Sequence, residues 1–331
     1  MNIWCPTAVA MPDRRIISLW FPHLGAERAM RCDPQLDGHP LAIVAEAGNT
    51  LTLAGLNREG MALGLRLGMG LRDAHAICPK LLTRPSEPRR DAAFLTALQR
   101  WAGQFTPWVA IDTPNALLLD ITGCAHLCGG EAGMVLRIRH ELVGFGLTAR
   151  LGVAETVGAA WALARFSGAQ KIQAYAGDAI EQETRATRSR ARKRRWERGG
   201  EPPVGVHDLP SGEMDAIVPP GAIMDHVGAL PVAALRLGTE TVSALHSLGL
   251  RRIADVAVLP RAHLAQRLGS EIIRQLDLMF GRIEEPITPT LPEPVMALRL
   301  TLPEPIGLEK DVLGAIDRLL GPLCDRLKAA G

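Results

Sequence analysis

Aromatic residues are few in this chain of 331 residues: six Phe, six Trp and a single Tyr. That scarcity argues against a surface that grips single strands mainly by stacking bases on rings. Cysteines are also few. Cys5, Cys32, Cys78, Cys124, Cys128 and Cys324 lack the spacing of a disulfide framework, so free and mostly buried thiols are expected. Cys124, His126 and Cys128 stand close together, but no second pair offers the fourth ligand of a zinc site, and a packed turn is the better reading. No metal and no cofactor are expected. No apolar run approaches the ~18 residues of a membrane span. Met1–Ala10 has no basic start and is too short for a secretory signal. A cytoplasmic protein is the expectation. The net charge of +2 is uninformative as a total, because one stretch is far more basic than the rest.

What is present is an alternation of short strands and amphipathic helices. Arg15–Phe21 has strand character and is halted by Pro22. Leu41–Val44 and Leu51–Ala54 read as strands around a turn at Glu46–Asn49, and Leu71–Cys78 turns helical until Pro79. Phe94, Leu98, Trp101 and Phe105 recur at helical spacing within Arg90–Phe105. Leu117–Ile121 is a strand; Val135, Ile138, Leu142 and Phe145 mark another helix; Leu147–Val153 alternates as a strand. This pattern predicts a sheet covered by helices, in an α+β arrangement. Thr184–Arg198 then carries eight basic residues against one acid, Glu197. Such a segment repels itself and buries little, so a basic linker is expected, either a nucleic-acid contact or a solubilising insertion. A small helical unit, Ala229–Phe280, follows. Val295–Leu302 (strand) and Leu308–Lys328 (helix) close the chain and cannot bury their own apolar face.

Three segments together resemble the Y-family (translesion) DNA polymerases. Gly64–Pro79 (GLRLGMGLRDAHAICP) is similar to their fingers segment, Leu118–Gly123 (LLDITG) to the palm strand behind the catalytic Asp-Glu pair, and Leu230–Val256 to the thumb with its helix-hairpin-helix. The resemblance implies a right-hand fold: an extension at 1–13, palm at 14–24 and 81–168, fingers at 25–80, a basic linker or insertion at 169–218, thumb at 219–286 and a partial little finger at 292–331. The family joins nucleotides with two magnesium ions held by clustered carboxylates. Here Leu19 and Phe21 stand where its Asp-x-Asp belongs. The second motif falls on Asp112-Thr113 with three further residues before the strand, or without a gap on Asn115-Ala116. One carboxylate cannot hold two hard cations against water. The family's triphosphate ligands fall on Arg58, Met61 and Trp161, and its sugar-screening aromatic on Leu24.

Within the family, Leu19–His23 and Leu118–Gly130 resemble the ImuB-type, non-catalytic relatives. That likeness implies a mutasome scaffold on primer-template DNA, bridging an ImuA-type RecA-like protein, an error-prone C-family DNA polymerase and the sliding clamp. The hairpin Arg236-Leu237-Gly238-Thr239, with Thr241 as helix starter, is expected to point backbone N–H groups at phosphates, or to be structural. Arg236 replaces the family's first glycine there, and Glu240 its lysine. Arg190, Arg192, Lys193, Arg194 and Arg195 are the linker candidates for DNA. Gln275, Leu278 and Phe280 in QLDLMF resemble a clamp-binding peptide, although Ile272, Leu276 and Met279 recur as the face of a core helix would.

Overall fold

The computed structural model describes residues 14–167, 216–289, 298, 300 and 308–329, and the chain divides into two units, Met1–Pro289 and Thr290–Gly331. The first unit is built on two sheets. The larger contains β1 (Ile16–Trp20), β5 (Val109–Asp112), β6 (Ala116–Asp120), β7 (Arg150–Ala154) and β8 (Ala216–Ile217) in the order β5-β6-β1-β7-β8. All neighbours run antiparallel except β7 and β8, which are parallel. The smaller has the order β3-β2-β4, from β2 (Leu41–Ala47), β3 (Thr50–Leu56) and β4 (Leu82–Pro85), with α1 (Leu24–Cys32), α2 (Arg58–Ala62) and α3 (Leu71–Ile77) between its strands and β1 in the sequence. The linker expected to reach residue 218 has already given way at Ala216, because β8 pairs with Gly152 and Val153.

Side chains of β1 alternate between two cores, as the period of two requires. Ile17, Leu19 and Phe21 pack with Leu95 and Leu98 of α4 (Pro88–Ala102) and with Met134 and Ile138 of α5 (Gly130–Gly144). Ile16 points the other way, into a core with Ala159, Ala160 and Leu163 of α6 (Val157–Phe166). Covered on both faces, β1 is apolar apart from the buried Ser18, which is why no regular polar alternation marks it in the sequence. The predicted helix over 90–105 ends at Ala102, and Phe105 lies in the turn beyond it, still buried.

Helix α6 has no amphipathic signature because it is apolar all round. It lies between the sheet and the helical segment 216–289, and Val157, Ala159, Ala160, Ala162, Leu163 and Ala164 are all buried. Thr156 caps it, its Oγ1 accepting from the N–H of Ala159 and donating to the carbonyl of Met279. Beyond β8 come α7 (Ile223–Val227), α8 (Thr239–Ser247), α9 (Ile253–Ala257), α10 (Arg261–Leu268) and α11 (Glu271–Met279).

An ion pair ties α10 to α11. The buried carboxylate of Asp277 accepts from Arg261 at 2.7 and 2.5 Å and from Arg282 at 3.4 Å. The Arg261 hydrogen bonds hold it below the usual aspartate value, against the opposing effect of burial. The stabilisation is therefore present above that usual value and is lost as pH falls through the lowered one. Asp277→Asn is expected to cost about 1–3 kcal/mol near neutrality, moderated because Arg261 is half exposed. Thermal melts of wild type and variant across acidic pH check this: the gap between the two should close on acidification.

In the second unit, α12 (Glu309–Ala329) leaves Val312, Leu313, Ile316, Leu320 and Leu327 about half exposed, as expected for a strand–helix piece that cannot cover itself. Val295–Leu302 lies almost wholly outside the described residues. Among the described cysteines only Cys78 is buried; Cys32 and Cys324 are exposed and Cys124 and Cys128 half-buried, so the thiols are less sequestered than expected. No helix among the described residues is long and apolar enough to cross a membrane.

Candidate functional site

The positions that the resemblance sets against the family's metal ligands lie at one end of the large sheet. Leu19 and Phe21 are fully buried. Leu19 is flanked in register by Leu117 and Leu151. Phe21 is tied by its N–H to the carbonyl of Asn115, whose Nδ2 donates back to the carbonyl of Phe21. Both side chains belong to the α4–α5 core, so a carboxylate at either place would be enclosed by hydrocarbon.

The β5–β6 hairpin fixes the second motif. Asp112 ends β5 and pairs with Ala116, leaving Thr113, Pro114 and Asn115 as the loop, with a cis Thr113–Pro114 bond. Asp112 thus keeps the strand-end place, while Thr113 is exposed in the turn and offers no ligand beside it. Two magnesium ions do not fit these residues. The second motif supplies one carboxylate here, Asp112, and its Oδ2 accepts from Nη2 of Arg165 at 3.1 Å. Among the described residues, no three His, Cys, Asp or Glu side chains gather as a ligand set.

What stands there instead is basic and aromatic. Asp112, Ala116, Trp20 and Arg150 form one cross-strand row over β5, β6, β1 and β7. Arg165, in the last turn of α6, comes onto this row: its guanidinium carbon is 5.7 Å from the centre of the Trp20 ring and 4.2 Å from that of Trp161. Arg150 approaches the same Trp20 ring, also at 5.7 Å, and its Nη2 donates to the carbonyl of Ser167. These are cation–π contacts of the kind guanidinium groups favour. Burial pulls both arginines below the usual value, and Asp112 opposes this at Arg165 alone.

No motif or periodicity in the sequence singles out Arg150 or Arg165, and Trp161 stands out only as a replaced ligand. A lone arginine at the start of a strand or end of a helix reads as a solvated charge. The available signal was the co-occurrence of Trp20 with Trp161 and Arg165, four residues apart, on a helix that periodicity does not reveal. Nearby, Leu24 is buried, and Nδ1 of His23 donates to the carbonyl of Leu56 at 2.7 Å, with burial lowering the imidazole's pKa.

The hairpin residues take up different roles from those expected. Arg236 does adopt the left-handed conformation of the glycine it replaces, with φ of 56°. Its guanidinium, however, is held by Glu285 at 2.8 and 2.6 Å, so it is not offered to phosphate. Gly238, not Thr241, caps α8, and Thr239 opens it. Helix geometry leaves the N–H groups of Thr239, Glu240 and Thr241 without intrahelical partners, and Glu240 adds negative charge beside them. Gln275 and Leu278 are buried within α11, and Phe280 is half-buried just after it. That is the core-helix arrangement rather than an exposed extended peptide. Arg190, Arg192, Lys193, Arg194 and Arg195 lie outside the described residues.

Comparisons with known proteins agree on the lineage. The impB/mucB/samB family model matches residues 19–165. The Protein ImuB of Caulobacter vibrioides is 36% identical over 269 residues, covering 81% of this chain and 49% of its own length. The DNA polymerase IV of Shewanella amazonensis is 23% identical, covering 95% of this chain and 77% of its own. This chain thus spans about half the length of the ImuB relatives it matches. Among solved structures, an insertion ternary complex of Dbh DNA polymerase superimposes with a TM-score of 0.62 at 17% identity, covering 82% of this chain and 69% of that one. DinB from Sulfolobus solfataricus gives 0.58 at 19%, with the same coverage. Residues 19–165 therefore carry an impB/mucB/samB-family domain, and the chain is a relative of ImuB with the α+β fold of a Y-family DNA polymerase.

Proposed function

We propose that this chain is a catalytically inactive Y-family polymerase homologue that acts as a DNA-binding scaffold in damage-induced translesion synthesis. The observation that carries this reading is the chemistry at that end of the sheet. Where phosphoryl transfer needs carboxylates converging on two cations, Leu19 and Phe21 face the core and Asp112 is neutralised by Arg165. Metal-assisted attack has no ligand set to work with, whereas a polymerase-shaped body can still lie along primer-template DNA. The hairpin N–H groups of Gly238–Thr241 and the basic run of Arg190–Arg195 are the proposed DNA contacts. The partners proposed with it are the sliding clamp, an error-prone C-family polymerase and an ImuA-type RecA-like protein, in the cytoplasm. The domain limits given above are proposed with the same scaffold in mind.

Primer extension tests the reading. With magnesium or manganese and all four nucleotides, the purified chain should extend no primer while still shifting primed DNA in a binding assay. Template-dependent incorporation would instead make it an active, diverged translesion polymerase, the reading favoured by its likeness to proteins named DNA polymerase IV.

A further inference from the structure

The substituted end of the sheet has the wrong sign of charge for a metal centre and the right one for an anion. Two guanidinium groups, Arg150 and Arg165, share the Trp20 ring, and one carboxylate, Asp112, pairs with Arg165 alone. Among the described residues, no carboxylate lies within ion-pair distance of Arg150, and Nη1 of Arg165 is buried with no acceptor. A buried guanidinium N–H without an acceptor is rare in folded proteins and marks a place where an acceptor oxygen belongs. Both arginines lie against tryptophan, Trp20 for Arg150 and Trp20 with Trp161 for Arg165. Contact through the ring faces leaves the in-plane N–H donors for hydrogen bonds, the fork geometry that fits phosphate oxygens. Trp20, Arg150, Asp112 and Trp161 are all half-buried, so the row is reachable from one side.

We infer that Arg150 and Arg165, braced by Trp20 and Trp161, form a metal-free phosphate site at the place a polymerase reserves for its metal ions. Two sources supply that chemistry: a nucleic-acid phosphodiester, or the triphosphate of a free nucleotide. The site deepens the DNA-scaffold reading and rests on it for the first source; the triphosphate source stands apart from it.

The test titrates the full chain, in EDTA, with fluorescein-labelled primed DNA at several salt concentrations and, separately, with dATP. For at least one ligand, the R150Q/R165Q variant should bind at least about tenfold more weakly. If that ligand is DNA, the slope of log affinity against log salt should also fall by about 1 to 2, since each lost phosphate contact removes ~0.7–0.9. Replacing EDTA with magnesium should leave wild-type binding unchanged. A variant that keeps wild-type affinity and slope for both ligands overturns the site while leaving DNA binding, and the scaffold, in place. Wild type that ignores DNA removes the scaffold; dATP binding lost in the variant still upholds the site, and its absence overturns it. Should R150Q/R165Q fail to fold, W20F/W161F keeps both charges. A ligand-induced change in tryptophan emission, measured with Trp196→Phe present in both proteins, should vanish in that variant, and its persistence would put the ligand elsewhere and overturn the proposal.

Discussion

Leu19→Asp is expected to destabilise the first unit severely rather than restore a metal centre. Leu19 is fully buried among Leu95, Leu98, Met134 and Ile138, with Leu117 and Leu151 beside it on the neighbouring strands. Removing a leucine from such a site costs about 2–5 kcal/mol through lost transfer energy and the cavity left behind. The incoming carboxyl adds the cost of burying a polar group with no partner, and it stays protonated instead of charged. The loss should therefore reach about 4 kcal/mol or more, a large fraction of the ~5–15 kcal/mol that holds a domain together. Urea denaturation measures it, with and without millimolar magnesium. The magnesium should recover nothing, because the carboxylate of the neighbouring row, Asp112, is already satisfied by Arg165. A variant as stable as wild type, or one stabilised by magnesium, would mean that the strand end turns its side chains toward a cation, and the reading of a dead centre would fall.

Much of this was legible in the residues and some was not, for definite reasons. The strands at Arg15–Phe21 and Leu117–Ile121 and the helices around Leu98 and Ile138 announce themselves because each presents an apolar face at the right period. The absence of any carboxylate from Leu19–Phe21 is equally plain, since it depends on identity alone. Helix α6 is silent: Val157–Phe166 is buried from the sheet side and from the helical segment, so it has no polar stripe to give a period. With α6 unseen, Trp161 and Arg165 could not be brought onto the row with Trp20, which comes from a strand more than a hundred residues earlier. The pairing of Arg236 was hidden for another reason. Arg236 carries a cation in a turn that resembles a DNA-binding motif, but whether a cation is free depends on what lies opposite, and Glu285 comes from beyond α11.

The seat of α6 is also the most sensitive point of the sheet. Gly152 of β7 lies directly beneath it: a Cβ there would sit 2.3 Å from the carbonyl oxygen of Ala160, 2.6 Å from the amide nitrogen of Ala164 and 2.8 Å from Cβ of Leu163. Two of those neighbours are backbone, which cannot rotate away, so Gly152→Ala has to lift the helix from the sheet. Overpacking of this kind costs about 1–3 kcal/mol and more where backbone must move; about 3 kcal/mol is expected, read from denaturant midpoints. Gly144→Ala is the control, because nothing lies within 4 Å of the added methyl at the end of α5, and it should change stability by less than about 1 kcal/mol. The two substitutions also differ in what they do to the row. Lifting α6 draws Arg165 away from Asp112 and Trp20, so Gly152→Ala should weaken phosphate binding under conditions where it remains folded, and Gly144→Ala should not. Equal stability and equal binding for the two variants would show that α6 is not pinned by the glycine, and the positioning of Arg165 would need another cause.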